Sequence, residues 1–228
     1  MLFGRQKAEH LDDRVWAAAS LKFDGICREI LEAARPNTVV ITAAHEAKTL
    51  ERLKARFAVA GIRFIFWETL PPVSEFDFAR HVGEGTQTIL VPSRLASEGR
   101  RALPLLRLGR MLGNGVDSAL ALHFIVAERA TLHSQDRELI AFAEGLPWRS
   151  TVRFHVSMED ALLLAAVPDR IMALMKSLGW DGKGPFSSSS VTDLINMAQK
   201  YQKTKASAEK RSAALIGAGR KPTGKTTP

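Results

Sequence analysis

Gly219 to Thr226 read GRKPTGKT, which satisfies the phosphate-cradling pattern G-x-x-x-x-G-K-[ST] letter by letter. The chemistry of that pattern needs its neighbours: a buried strand must deliver the glycine-rich turn, and a helix must open after the Lys and the Ser/Thr. Upstream stands EKRSAALIGA, which is helical in composition and has no β-branched run, and downstream stand only Thr227 and Pro228. The match is read as a product of a Lys/Gly/Pro/Thr-rich tail rather than as a nucleotide site. Other arrangements that do chemistry are equally thin. His10, His45, His81, His123, His133 and His155 include no i,i+4 pair and no cysteine neighbour, so no metal site is expected. No Ser/His/Asp or Cys/His constellation can be supported from order alone. The lone Cys27 lies between Ile26 and Ile30 as a small apolar residue, and a single cysteine fits a reducing compartment. Glu159 and Asp160 follow a strand and open a helix, where carboxylates cap free N–H groups in preference to acid–base work. His123 and His155 fall inside strands and are expected to be buried or interfacial polar residues.

The elements that would carry these residues alternate in period. Residues 11–35 place Trp16, Ala19, Phe23, Ile26, Ile30 and Ala34 at helical spacing, and Pro36 ends the pattern. TVVITA (38–43) is a short β-branched run suited to a strand buried on both faces. A helix over 45–60 with Leu50, Leu53 and Phe57 inward is closed by Gly61, and IRFIFW (62–67) is a second strand whose aromatics are core residues before they are base-stacking ones. Further strands are predicted at 87–92, 119–127 and 151–157, with helical stretches near 94–112 and 131–144. After Met158 the strands stop. Residues 158–178 are helical with a break at Pro168, and a Gly/Ser-rich loop leads to a last amphipathic helix that begins at Val191. The alternation predicts an α/β sandwich with a mostly parallel sheet. The expected organisation is an N-terminal extension over 1–10, the α/β domain over 11–157, C-terminal helices over 158–205, and a disordered basic tail over 206–228.

Charge is unevenly placed in the 228 residues. Of 32 Lys/Arg and 24 Asp/Glu, eight basic residues and only Glu209 lie from Lys200 onward, so the first 199 residues are close to neutral. A nucleic-acid face normally needs clustered Lys/Arg on the folded part, so nucleic acid or anionic lipid is expected to reach the tail alone. No apolar run approaches the ~18 residues of a membrane span, and the N-terminus lacks the apolar stretch of a signal peptide, so the expected location is the cytoplasm.

Three stretches resemble the second motor domain of SecA, the ATPase that drives preproteins through the bacterial Sec channel. DRVWAAASLKFDGICREI is similar to the family's lead-in D-x-V-[YW] … K-[FW]-D-x-I-x-x-E-I. RPNTVVITAAHEAKTLERLKARFAVAGI resembles its strand–helix–strand, and FHVSMEDALLLAAVPDRIMALMKSLGW keeps Ser157, Glu159, Asp160, Asp169, Arg170, Met175, Leu178 and Gly179 in place. The likeness covers about 12–205 and implies a RecA-like, P-loop NTPase-type three-layer fold. The family's first motor domain, with the true P-loop, has no counterpart here. The resemblance also implies two nucleotide motifs that this chain does not carry. The loop that bears G-R-G-T-D in the family reads SRLASEGRRA, where Arg94, Arg100 and Arg101 are the remaining candidates for phosphate ligands. Counting from ALHFIVAER, similar to G-L-H-V-I-G-T-E-R, puts the two arginines of R-S-G-R on Phe142 and Gly145. The expectation is a domain without catalytic residues or bound cofactor that acts through a protein partner: a full motor protein, a separate first motor domain or an export complex. A peripheral position at the inner membrane, a nucleic-acid-binding helicase-like role, or half of an ATP site completed by another subunit are the alternatives.

Overall fold

The computed structural model describes residues 8–35, 38–66, 88–92, 121–146, 148–166 and 168–218, with side chains described up to Thr204. Seven strands appear among them: β1 Glu9–His10, β2 Arg14–Trp16, β3 Thr38–Ala44, β4 Phe64–Phe66, β5 Thr88–Pro92, β6 Ala121–Val126 and β7 Arg149–Ser157. Every strand pairing among them is parallel, and the order is β1-β7-β6-β3-β5-β4, with β2 also on β7. Parallel neighbours require crossovers, and the helices α1 Ala19–Ala33, α2 Ala47–Ala60 and α3 His133–Gly145 supply layers on both sides of the sheet.

The middle strand shows why. TVVITAA is β-branched and apolar on both faces, so its alternate residues enter different cores. Val39, Ile41 and Ala43 join Ile89, Phe124, Val152 and Phe154 beneath Leu139 and Ala143 of α3. Val40 and Ala44 join Leu90 and Ile125 beneath Phe23, Ile26 and Ile30 of α1 and Leu53 and Phe57 of α2. The architecture is the α/β sandwich with a parallel sheet that the alternating pattern predicts.

The first element departs from expectation. The helical stripe from Leu11 breaks, because residues 9–10 and 14–16 join the edge of the sheet and α1 starts only at Ala19. Trp16, placed by periodicity on that helix, belongs to β2, where parallel pairing with β7 overrides local helical spacing. Between the two short strands the register slips by one: His10 stands opposite Val152, but Arg14 stands opposite His155. The extra residue in Leu11–Asp13 acts as a bulge does, turning Asp13 inward.

C-terminal to the sheet lie α4 Ala161–Ala166, α5 Pro168–Ser177 and α6 Ser189–Ala218. Pro168 is the first residue of α5, a position where its missing N–H costs nothing. Gly179 adopts φ 90°, the left-handed conformation that closes α5, and Trp180 N–H reaches back to the Met175 carbonyl at 3.0 Å. A third core of Val15, Val156, Leu163, Ile171, Met175, Val191 and Ile195 fastens these helices to the β2/β7 edge. The last helix also corrects an expectation: it continues through residue 218, past residue 206, where the sequence predicts disorder. Residues 93–120 and 219–228 lie outside the described part.

Gly25 faces the Trp16 indole so closely that a Cβ there would fall 2.0 Å from its Cζ2. The indole is itself held by stacking on His155, with ring centroids 5.9 Å apart. Gly25→Ala is therefore expected to destabilise the protein by about 1–3 kcal/mol through overpacking, even though alanine is the better helix former. Urea unfolding of the two proteins measures the difference.

Candidate functional site

Open parallel sheets present ligands at the carboxyl ends of their strands. At that edge this chain builds a buried ionic network around Arg129, which follows β6. Its Nε and Nη2 donate to the two oxygens of Asp13 at 3.1 and 2.8 Å, and Nη1 donates to Asp136 Oδ2 at 3.1 Å. The guanidinium carbon lies 4.1 Å from the centroid of the Phe154 ring. All three ionic side chains are at most 1% exposed. Asp136 also accepts from Ala130 N–H at 2.9 Å and from Gln199 Nε2 at 2.6 Å, and His45 Nε2 stands 3.0 Å from its Oδ1. Gln199 donates further to the Ala130 carbonyl at 2.7 Å, and Thr192 Oγ1 accepts from Asp13 N–H at 3.0 Å. Thus α6 is attached to the sheet through buried polar bonds as well as apolar packing.

Burial pushes the Asp13 carboxyl up to about 6, and the Arg129 charge and hydrogen bonds offset that only in part. Burial acts the same way on Asp136, but the His45 hydrogen bond and the Arg129 charge outweigh it and hold that carboxyl below its ordinary value.

Two other carboxylates at this edge cap helices. Glu128 accepts from Glu46 N–H at 2.7 Å and from Thr49 Oγ1 at 2.6 Å, closing the start of α2. Glu159 accepts from Ala19 N–H at 3.0 Å, so it caps α1 and not the helix it precedes. Asp160 ties its own turn, accepting from Ser157 N–H at 2.9 Å and Ser157 Oγ at 3.0 Å, and its two oxygens also take Lys22 Nζ at 2.7 and 2.9 Å. Of the capping roles expected for this pair, Glu159 fills one, on a helix distant in sequence, whereas the Asp160 carboxylate ties its own turn and takes Lys22 in place of a helix N–H.

A second network lies on the other side of the sheet, beneath α1. Glu29, on the flank of α1, accepts four hydrogen bonds. His123 Nε2 at 2.8 Å and Arg153 Nη1 at 3.0 Å reach Oε1, while Arg14 Nη1 at 2.5 Å and His155 Nε2 at 2.9 Å reach Oε2. Trp16 Nε1 donates to His155 Nδ1 at 3.3 Å, which makes Nε2 the protonated nitrogen facing Glu29. Burial alone raises the Glu29 carboxyl, but the hydrogen bonds from His123 and His155 and the Arg14 charge overrule it and hold it well below the usual range. Both histidines that the sequence places inside strands are polar partners of this one carboxylate.

The residues expected to meet phosphate are arranged differently. Phe142 packs its ring edge-on against Phe124, centroids 6.2 Å apart, at the border of the sheet's own core. Gly145 is the last residue of α3 and is exposed, with open space where a side chain would stand. Arg94, Arg100 and Arg101 lie outside the described residues, as does GRKPTGKT, and the segment that leads into GRKPTGKT is the end of helix α6 rather than a strand. Cys27 is buried and its thiol is pushed up to about 11, mainly by burial, as suits an inert core residue. Asp13 and Glu29 stand in the sequence patterns only as the D of D-x-V-[YW] and the E of E-I, with no role attached, and Asp136 and Gln199 belong to no motif noted there. Their signal was charge or amide at positions flanking apolar runs, where nothing local tells a buried partner from a solvated residue.

No family model matches the chain. It is similar to the protein translocase subunit SecA of Heliobacterium modesticaldum, 24% identical over 83% of this chain and 22% of that protein. The SecA of Caldicellulosiruptor saccharolyticus is 27% identical over 82% of this chain and 21% of that protein. Among solved structures, the C-terminal part of the Fun30 ATPase domain superposes with TM-score 0.37 at 12% identity, covering 79% of this chain and 54% of that one. The sequence is thus SecA-like over most of its length, and the chain spans about a fifth of the length of the curated relatives it matches. No helix among the described residues is long and apolar enough to cross a membrane.

Removing one partner of a buried ion network strands the others. Arg129→Met is expected to cost about 3–5 kcal/mol, because Asp13 and Asp136 are left buried without their cation, and Arg129→Lys to recover only part, since an ammonium cannot reproduce the planar fork. Glu29 gives a pH signature. Its folded carboxyl titrates below the unfolded value of 4.5, so its contribution is complete above that pH and is lost as pH falls beneath it. The stability gap between the natural protein and Glu29→Gln should therefore narrow below pH 4.5, by up to about 1.4 kcal/mol per pH unit. Denaturant titrations between pH 7 and pH 3 measure it.

Proposed function

We propose that this chain is a SecA-like second motor domain that has kept its scaffold, has lost its share of an ATP site, and serves as a protein-docking or regulatory module in protein export. The observation that carries this reading is the Phe142 side chain. Phosphoryl transfer depends on positive charge and N–H donors aimed at the phosphate oxygens, and one such arginine is worth ~10³–10⁵ in rate. Where the SecA-like register calls for that arginine, this chain has an aromatic ring turned into its own core against Phe124. Gly145, at the second such position, brings no side chain.

The residues that do agree with the SecA pattern support the same reading. Glu128, Arg129, Ser157, Glu159 and Asp160 hold helix starts and strand ends by hydrogen bonds within the chain, a task that survives without nucleotide chemistry. Export is inferred from relatives named as protein translocase subunits. On this reading the carboxyl-end face docks a protein: a full motor protein, a separately encoded first motor domain or an export complex.

Two measurements test it. The purified chain incubated with Mg-ATP is expected to release no phosphate above the reagent blank. Release that disappears in the Arg94→Ala, Arg100→Ala, Arg101→Ala variant would overturn the loss of hydrolysis. Capture from the native host at moderate salt should yield a stoichiometric protein that is still retained when Lys205, Lys210, Arg211, Arg220, Lys221 and Lys225 are replaced by Gln. Recovery of nucleic acid alone, lost with those charges, would make the chain a basic-tailed nucleic-acid binder instead.

A further inference from the structure

The two faces of β7 are unlike. Val152, Phe154 and Val156 enter the apolar cores, whereas Thr151, Arg153, His155 and Ser157 point to the α1 side. Arg14 and Trp16 of β2, opposite His155 and Ser157, extend this polar strip, and His123 of β6 adjoins it opposite Thr151. The α2 helix packs on β3 and β5, leaving α1 as the described helix that contacts β7 from this side. The strip is therefore roofed at its inner margin by Glu29 and open beyond it. Arg14, Arg153 and His123 retain 27%, 21% and 14% side-chain exposure, while Glu29 beneath them retains 5%.

Charge along this strip does not balance. Arg14, Arg153 and, within electrostatic reach, Arg28 face Glu29 and Glu32, so three guanidiniums meet two carboxylates. Arg14 and Arg153 each place one terminal nitrogen on Glu29, and Arg153 Nε is buried with no hydrogen-bond partner. Both guanidiniums also keep a solvent-facing edge that an incoming acceptor can reach.

We propose that the Arg14/Arg153 strip over Glu29 is a docking surface for an acidic segment of a partner protein, which inserts an Asp or Glu carboxylate against the outer edges of the two guanidiniums. A carboxylate suits the excess of a single positive charge and the planar fork of arginine. A phosphate dianion would call for more charge and for a nest of backbone N–H groups, and the strip is made of side chains on regular strands. This surface lies on the α1 side of the sheet, opposite the α3 side that carries Phe142 and Gly145. It goes beyond the proposed function, because it does not depend on the fate of ATP hydrolysis.

The test is a ¹⁵N NMR titration of the full chain with an oligoglutamate peptide at physiological ionic strength, reading the arginine Nε–Hε signals. Signals of Arg153 and Arg14 are expected to shift together. Arg153→Gln should weaken the peptide about tenfold or more, as for loss of a charge-assisted hydrogen bond, while Arg149→Gln, an exposed arginine on the same strand, should weaken it by about twofold at most. Shifts confined to the basic residues beyond Lys200, or equal losses in Arg149→Gln and Arg153→Gln, would overturn the site in favour of diffuse attraction. The natural protein's own shifts decide the matter should Arg153→Gln unfold, and inorganic phosphate moving the same signals at lower concentration than the peptide would overturn the choice of ligand. Retention of the captured host protein by Arg153→Gln would refute this site as its dock while leaving the docking function standing. Absence of any captured protein would refute the function without touching the peptide titration.

Discussion

The Arg129 guanidinium is the one group from which the rest of the architecture is braced. It lies where the edge strand, the strand-to-helix turn after β6, the start of α3 and the middle of α6 converge, and it is at most 1% exposed. A cation so placed is tolerable only when its donors are taken, and Asp13 and Asp136 take three of them. Each carboxylate is then obliged in turn. The Asp13 backbone N–H ends on Thr192 and Asp136 gathers Gln199, both from α6. The C-terminal helix is thereby aligned by polar bonds that hydrophobic contact alone would leave free to slide, because apolar packing is non-directional.

The same logic explains why the edge strand is irregular. A regular β1–β2 strand would keep one register along β7, and Asp13 would alternate with its neighbours across the pleat. The one-residue slip between His10 and Arg14 gives up ladder pairing at the bulge and sends Asp13 to Arg129 instead. Immediately afterwards Trp16 covers Gly25, stacks on His155 and fixes its tautomer, and His155 then serves Glu29. Two buried ionic networks, one on each side of the sheet, are therefore coupled through an edge segment of a few residues.

Much of the fold was legible because hydrophobic period reports burial directly. TVVITA, the helix closed by Gly61 and the Pro168 break all appear near their expected bounds. Residues 11–18 were misread because Trp16, Phe23, Ile26 and Ile30 do share a helical spacing, and no local feature states that a distant β7 will claim the first of them. The extent of α6 was hidden for the converse reason: a Lys- and Ala-rich stretch has good helix propensity but no apolar period to reveal it. At the site, the proposed SecA-like register alone sets Phe142 and Gly145 at the phosphate-directed positions. It did not show where Phe142 would turn, nor that Glu29 would collect four donors from four separate positions, since each bond joins residues at least 15 apart in sequence.

The proposed separation of scaffold from catalysis follows from where each kind of residue sits. An arginine directed at a phosphate must stand outside the core, so replacing it by an aromatic ring that finds a place beside Phe124 costs the fold little and adds apolar burial. Arg129, Asp13 and Asp136 have no such freedom, because deleting any one leaves the others buried and unpaired. A chain under selection for binding alone would lose the first set and keep the second. On the proposed SecA-like register, the phosphate-directed positions fall on Phe142 and Gly145, while Asp13, Glu128, Arg129, Glu159 and Asp160 fall on matching residues.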